Sequence, residues 1–265
     1  MFRKNTLAML VSEFLGTSLL AFIVLSMLRS QGGTFNTAVA AGLMLAVMVM
    51  VIGSISGAVL NPAVTVGLWS VRKLKTVQAL SYILAQFAGA AAAWYMFVYF
   101  TKIDTGTINH EGFTTFTARV FSAEVLGTFV FTFAIAAALY QRFSGGLKAF
   151  VIGGGLALGI IVASIASAGA VNPAVAFAIQ QWNLWSYMVA PVLGALLGFN
   201  LYNLLFVETE VAEVAEARAE AESRVVASNK VARVVEKPSR AATKKTVAPK
   251  KAAVKKTSAK KTAKK

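Results

Sequence analysis

The chain has 265 residues, 57% of them hydrophobic and 14% charged, with a formal net charge of +15 and no cysteine. The first 207 residues carry far too little polar surface to be wetted as a soluble domain, so that class is excluded for them. The missing cysteines exclude disulfides, thiol chemistry and thiolate metal sites.

A membrane span takes about 20 apolar residues to cross about 30 Å of hydrocarbon, and the first such run is 7–28. The Met1-Phe2-Arg3-Lys4 start has the charge of a signal peptide, but the run behind it is too long, carries Glu13 and shows no small-residue cleavage site. It is predicted as a retained helix. Further spans are predicted at 37–55, 77–100, 120–140, 149–166 and 185–207, six in all. Between the second and third lies Gly53-Ser54-Ile55-Ser56-Gly57-Ala58, followed by Asn61-Pro62-Ala63; between the fifth and sixth lies Ser164-Ile165-Ala166-Ser167-Ala168-Gly169, followed by Asn172-Pro173-Ala174. Asn is a preferred helix N-cap and Pro a preferred first helical residue, so each tripeptide reads as a helix start. The helices they open, 61–70 and 172–181, run about ten residues and reach about 15 Å, half the membrane. From 208 to 265 the chain changes to a segment with 16 Lys and Arg against 7 Glu, poor in aromatic and bulky apolar groups, which reads as a disordered tail.

The two Asn-Pro-Ala copies stand 111 residues apart, and the same offset relates Glu13 in Ser12-Glu13-Phe14-Leu15-Gly16-Thr17 to Glu124 in Ala123-Glu124-Val125-Leu126-Gly127-Thr128. One offset for two landmarks is an internal duplication. It divides the chain into a channel-sized domain 1–207, with repeats at about 7–100 and 119–207, and the tail 208–265. Three spans per repeat make the repeats inverted, an arrangement whose substrate path lies at the repeat interface near the midplane. The half-helices then meet there N-terminus to N-terminus, joined by non-helical backbone that is tolerated at that depth only where it is buried or lines water. Threading six spans puts Arg3, Lys4, Arg72, Lys73, Lys75, Arg142 and Lys148 on one side against Arg29, Lys102 and Arg119 on the other, which predicts cytoplasmic termini in a cell membrane.

Ser56-Gly57-Ala58-Val59-Leu60-Asn61-Pro62-Ala63-Val64-Thr65, the two glutamates in their Gly-Thr contexts, and Gln86-Phe87-Ala88-Gly89-Ala90 in the third span together resemble the aquaporin and glycerol-facilitator (major intrinsic protein) family over about residues 7–207. The resemblance implies an all-α membrane protein of six spans and two half-helices, a passive channel for water or small uncharged solutes, and a homotetramer. In such a pore Asn61 and Asn172, with Pro62, Ala63, Pro173 and Ala174, would turn amide donors to the lumen, and the two half-helix dipoles would repel cations. A carboxylate inside a span is by default a functional candidate. For Glu13 and Glu124, with Gln86 beside them, the resemblance implies instead a scaffold that accepts hydrogen bonds from the pore-loop backbone. Gly155 with Gly159 and Gly194 with Gly198 read as close helix crossings.

Departures from the family pattern bear on the substrate. The outer constriction would fall on Ala41, Ile160, Gly169 and Val175, where Val175 replaces the usual arginine, and none of the four offers a side-chain hydrogen bond. An apolar and wider ring follows as the expectation. Ala176 stands where glycerol channels carry aspartate, and Val59 where histidine is frequent in the first loop. Candidate solutes are therefore water, glycerol-like molecules, ammonia, peroxide and gases. No catalytic group, metal ligand set or cofactor is indicated: the single histidine, His110, lies in a loop with no partner nucleophile. For the tail the sequence offers anionic lipid, at roughly 1 kcal/mol per lysine near the membrane, ahead of nucleic acid. A second reading is a cation-leaky or closed pore that tethers the membrane through this tail.

Overall fold

A computed structural model describes residues 4–103, 115–206 and 222. The chain divides into two units, Met1–Glu213 and Val214–Lys265. His110 and the lysine-rich tail lie outside the described residues.

Eight helices make up the described part of the first unit. They are α1 (Lys4–Arg29), α2 (Gly33–Ile52), α3 (Pro62–Ser70), α4 (Thr76–Thr101), α5 (Ala118–Tyr140), α6 (Gly145–Ala163) and α7 (Pro173–Ala178), then α8 (Leu184–Phe206), whose first turns, Leu184–Val189, are π-helical. Six of them are long and apolar enough to cross a membrane. The half-helices α3 and α7 are too short to span and begin at the prolines, with Asn61 and Asn172 as N-caps that accept from the backbone N–H groups two and three residues on.

The duplication is visible in the backbone. α1 and α5 are each followed by a left-handed residue, Gln31 and Arg142, 111 residues apart, after which the chain N–H reaches back to the Met27 and Ala138 carbonyls. This six-to-one bond closes the last turn and satisfies a carbonyl the helix leaves open. α2 and α6 cross at Gly42 and Gly153, again one offset apart; a Cβ added at Gly42 would lie 2.6 Å from the Gly153 carbonyl oxygen. In lipid, where apolar side chains gain little from meeting each other, such backbone proximity is what holds helices together. The predicted crossings behave alike: a Cβ at Gly159 would lie 2.6 Å from the Gly127 oxygen, and Cβ atoms at Gly194 and Gly198 would run into α5.

Helix ends differ from expectation by up to four residues. α2 and α6 start at Gly33 and Gly145 rather than 37 and 149, because the polar residues Thr34, Asn36 and Lys148 are helical without being apolar. α7 has six residues instead of ten. It stops because Gln180 takes φ 63° and the Gln181 N–H donates to the Ala176 carbonyl at 2.9 Å, a closure that α3 makes three residues later in its own course.

Candidate functional site

The two pore loops are wired to buried carboxylates. Glu13 Oε1 accepts from the Ser56 hydroxyl at 2.7 Å and the Val59 N–H at 3.0 Å; Oε2 accepts from the Leu60 N–H and from Gln86 Nε2, both at 2.8 Å. Glu124 repeats this in the second half, taking the Ser167 hydroxyl (2.8 Å), the Ala170 N–H (2.9 Å) and the Val171 N–H (2.7 Å). Both glutamates are fully buried. The four backbone N–H donors among them lie outside any helix, and an unpaired buried N–H costs about 1 to 3 kcal/mol.

That wiring also holds a strained turn. Ala58, Leu60 and Val171 have φ of 50°, 51° and 43°, a region in which a β-branched residue such as valine is an outlier. Each such residue costs on the order of 1–3 kcal/mol and persists only when its surroundings over-determine it. The carbonyls of Gly57, Ala58 and Val59, and of Ala168, Gly169 and Ala170, accept from no described backbone group, and these residues line the cavities beside the loops.

The asparagines join the halves. Asn61 Nδ2 donates to the Val171 carbonyl and Asn172 Nδ2 to the Leu60 carbonyl, each at 2.9 Å, while each Oδ1 caps its own helix. One of the two hydrogens on each amide is thus committed across the interface, and an amide NH2 carries a second. Pro62, Ala63, Pro173 and Ala174 are buried at the junction.

Cavities among the described residues run along the helices. The first, of about 320 Å³, adjoins the first pore loop and contains Ser56, Val59, Val64, Lys73, Lys148 and Ile152 in its wall. At the other mouth a cavity of about 310 Å³ is bounded by Gln31, Thr34 and Ser164. Between that mouth and Asn172 lies a cavity of about 30 Å³, and Ala41, Ile160, Gly169 and Val175 all line it, together with Leu20, Val24, Leu156 and Ile179. The four residues named from the sequence line one space, and its wall is apolar except for Thr37 and Asn172. Its volume is that of one or two water molecules.

Sequence reasoning missed several participants. Thr37, one turn from Ala41 on α2, lines this narrow cavity; its hydroxyl donates to the Gly33 carbonyl at 2.9 Å and keeps its lone pairs as acceptors. Thr65 exchanges hydrogen bonds with Gln86, and the Tyr82 hydroxyl donates to the Ser56 carbonyl at 2.8 Å. Tyr187 accepts from the Ala168 N–H at 3.2 Å. Ser56 and Ser167 could have been found from the shared offset, and Thr37 from its place four residues before Ala41. The tyrosines break the offset and carried no signal.

The family model for the major intrinsic protein matches residues 2–202. The chain belongs to the major intrinsic protein family. It is 32% identical to a probable aquaporin, NIP7-1, of Arabidopsis thaliana over 77% of this chain and 79% of that one. Aquaporin Z of Photorhabdus laumondii is also 32% identical, covering 76% and 98%. Among solved structures the aquaglyceroporin from Plasmodium falciparum superposes with a TM-score of 0.63 at 21% identity, over 77% of this chain and 98% of its own, a likeness of fold. Members of the major intrinsic protein family are channels and not enzymes, so this chain is an integral multi-pass membrane channel, passive, for water or small solutes.

Proposed function

We propose that the pore conducts water and uncharged solutes of one or two heavy atoms, such as ammonia or peroxide, and discriminates against glycerol. The observation that supports this reading is the cavity of about 30 Å³ ringed by Ala41, Ile160, Gly169 and Val175. A three-carbon polyol would have to shed several hydrogen bonds in a wall whose only polar groups are Thr37, Asn172 and backbone carbonyls, and each unreplaced bond costs about 1 to 3 kcal/mol. Water gives up one or two and recovers them on Asn172 and the carbonyl row. In this reading Asn61 and Asn172 orient the solute at the junction, and Glu13, Glu124 and Gln86 hold the loops without touching it.

The pore domain is assigned to residues 1–207, in a cell membrane, as a homotetramer with both termini cytoplasmic; the excess of basic residues at the ends of α3, α5 and the starts of α4 and α6 supports the orientation. The tail 208–265, with its clustered lysines, is assigned to the anionic lipid of that face. Stopped-flow permeation in proteoliposomes tests the solute ranking: water and ammonia should move faster than through bare lipid and glycerol should not. Glycerol flux comparable to water flux would contradict it.

A further inference from the structure

We propose that Lys73 and Lys148 form the cation barrier of this pore, at the mouth opposite the apolar constriction, replacing the arginine position occupied by Val175. The inference rests on the channel reading above. It starts from a deficit: Val175 carries no charge, so at the narrow cavity the half-helix dipoles act without a cationic side chain beside them.

The charge is found at the other end. Both lysines line the cavity of about 320 Å³ that adjoins the first pore loop. Lys73 follows the left-handed Arg72 that ends α3; its N–H donates to the Leu68 carbonyl at 2.8 Å, and its ammonium stands 4.7 Å from the Tyr140 ring centroid. A cation over an aromatic face is attracted by the ring quadrupole, which holds this charge against α5, whose Leu139 lines the same cavity. Lys148 is half-buried in the first turn of α6, one turn before Ile152 in the same wall. It occupies the repeat position of Thr37, 111 residues on. Equivalent places in the two mouths thus hold a neutral hydroxyl and an ammonium.

No described group cancels these charges. Within the channel unit the described acidic residues are Glu13 and Glu124, both fully buried and occupied by loop donors. Clefts lined by one sign of charge change local ion concentrations and entry rates by about 10 to 10³-fold. With Lys73 exposed to solvent, the low end applies. A neutral solute does not feel the barrier, and a small anion meets none at this mouth.

The test reconstitutes the full chain in neutral-lipid liposomes as wild type, Lys73→Met with Lys148→Met, and Lys73→Arg with Lys148→Arg. Osmotic water flux and voltage-driven proton and potassium uptake are read on the same vesicles. The Met variant should keep water flux within about twofold while its cation uptake rises on the order of tenfold, and the Arg variant should match wild type. Raising ionic strength from about 0.01 M to 1 M with an impermeant salt shortens the Debye length from about 30 Å to about 3 Å, and wild-type uptake should climb toward that of the Met variant. Met-variant vesicles with intact water flux and wild-type cation uptake at low salt would overturn the barrier and leave the channel standing. Wild-type vesicles that pass no neutral solute would overturn the channel reading, and the barrier with it.

Discussion

A carboxylate that accepts several hydrogen bonds inside a membrane is held by its partners, and this governs what substitution does to Glu13 and Glu124. Glu13→Gln puts an amide donor where Oε1 or Oε2 accepted, leaving the Val59 or Leu60 N–H facing another donor. We expect a loss of about 2 to 3 kcal/mol, read as a lower unfolding temperature in detergent. Thr17 and Thr128 predict the opposite sign. Their hydroxyls are buried without a partner among the described residues, so Thr17→Val and Thr128→Val should each be neutral or stabilising by up to about 1 kcal/mol in the same assay. Thr37→Val removes the acceptor from the narrow cavity and should slow water permeation by about fivefold, equivalent to about 1 kcal/mol; Thr37→Ser should restore it. At this scale much of the site was legible: intramembrane Glu13, Glu124 and Gln86 stand out because polar groups there are rare. Thr37 did not, since a threonine that bonds its own helix looks ordinary until the cavity beside it is seen.

Helices were legible in number and order because 20-residue apolar runs are hard to mistake. Their ends were less so. Hydropathy follows side chains, whereas the helix follows backbone hydrogen bonds, and Thr34 and Asn36 at the start of α2 satisfy one criterion and not the other. The shortness of α7 depends on the left-handed Gln180, which nothing in its residue type announces. What joins the elements is the approach of small residues. Gly159→Ala would set a methyl 2.6 Å from the Gly127 oxygen and force α5 and α6 apart. We expect a destabilisation of about 1 to 3 kcal/mol. Gly154→Ala on the same helix, where a Cβ meets nothing within 4 Å, should cost almost nothing and serves as the control in thermal unfolding.

The channel unit is two inverted copies joined by the asparagine pair, and the selectivity proposed above rests on where the copies differ. Val175 faces a cavity of about 30 Å³, whereas Val64 at the equivalent place faces one of about 320 Å³. The duplication was visible as a fixed offset, but the volumes were not, because they depend on how Leu20, Val24, Leu156 and Ile179 converge. Val175→Arg should therefore close this pore rather than restore a familiar filter, lowering water flux by at least about tenfold, since an arginine side chain exceeds the space and finds no carboxylate there. A narrow neutral-solute pore is tested most directly by light scattering of proteoliposomes under a sucrose gradient and then a glycerol gradient, with Asn61→Asp plus Asn172→Asp as the control. Such a pore gives fast shrinkage in sucrose that the control abolishes, and glycerol entry at the bare-lipid rate. Wild-type vesicles shrinking no faster than bare lipid, or a control that shrinks as fast as wild type, would contradict it.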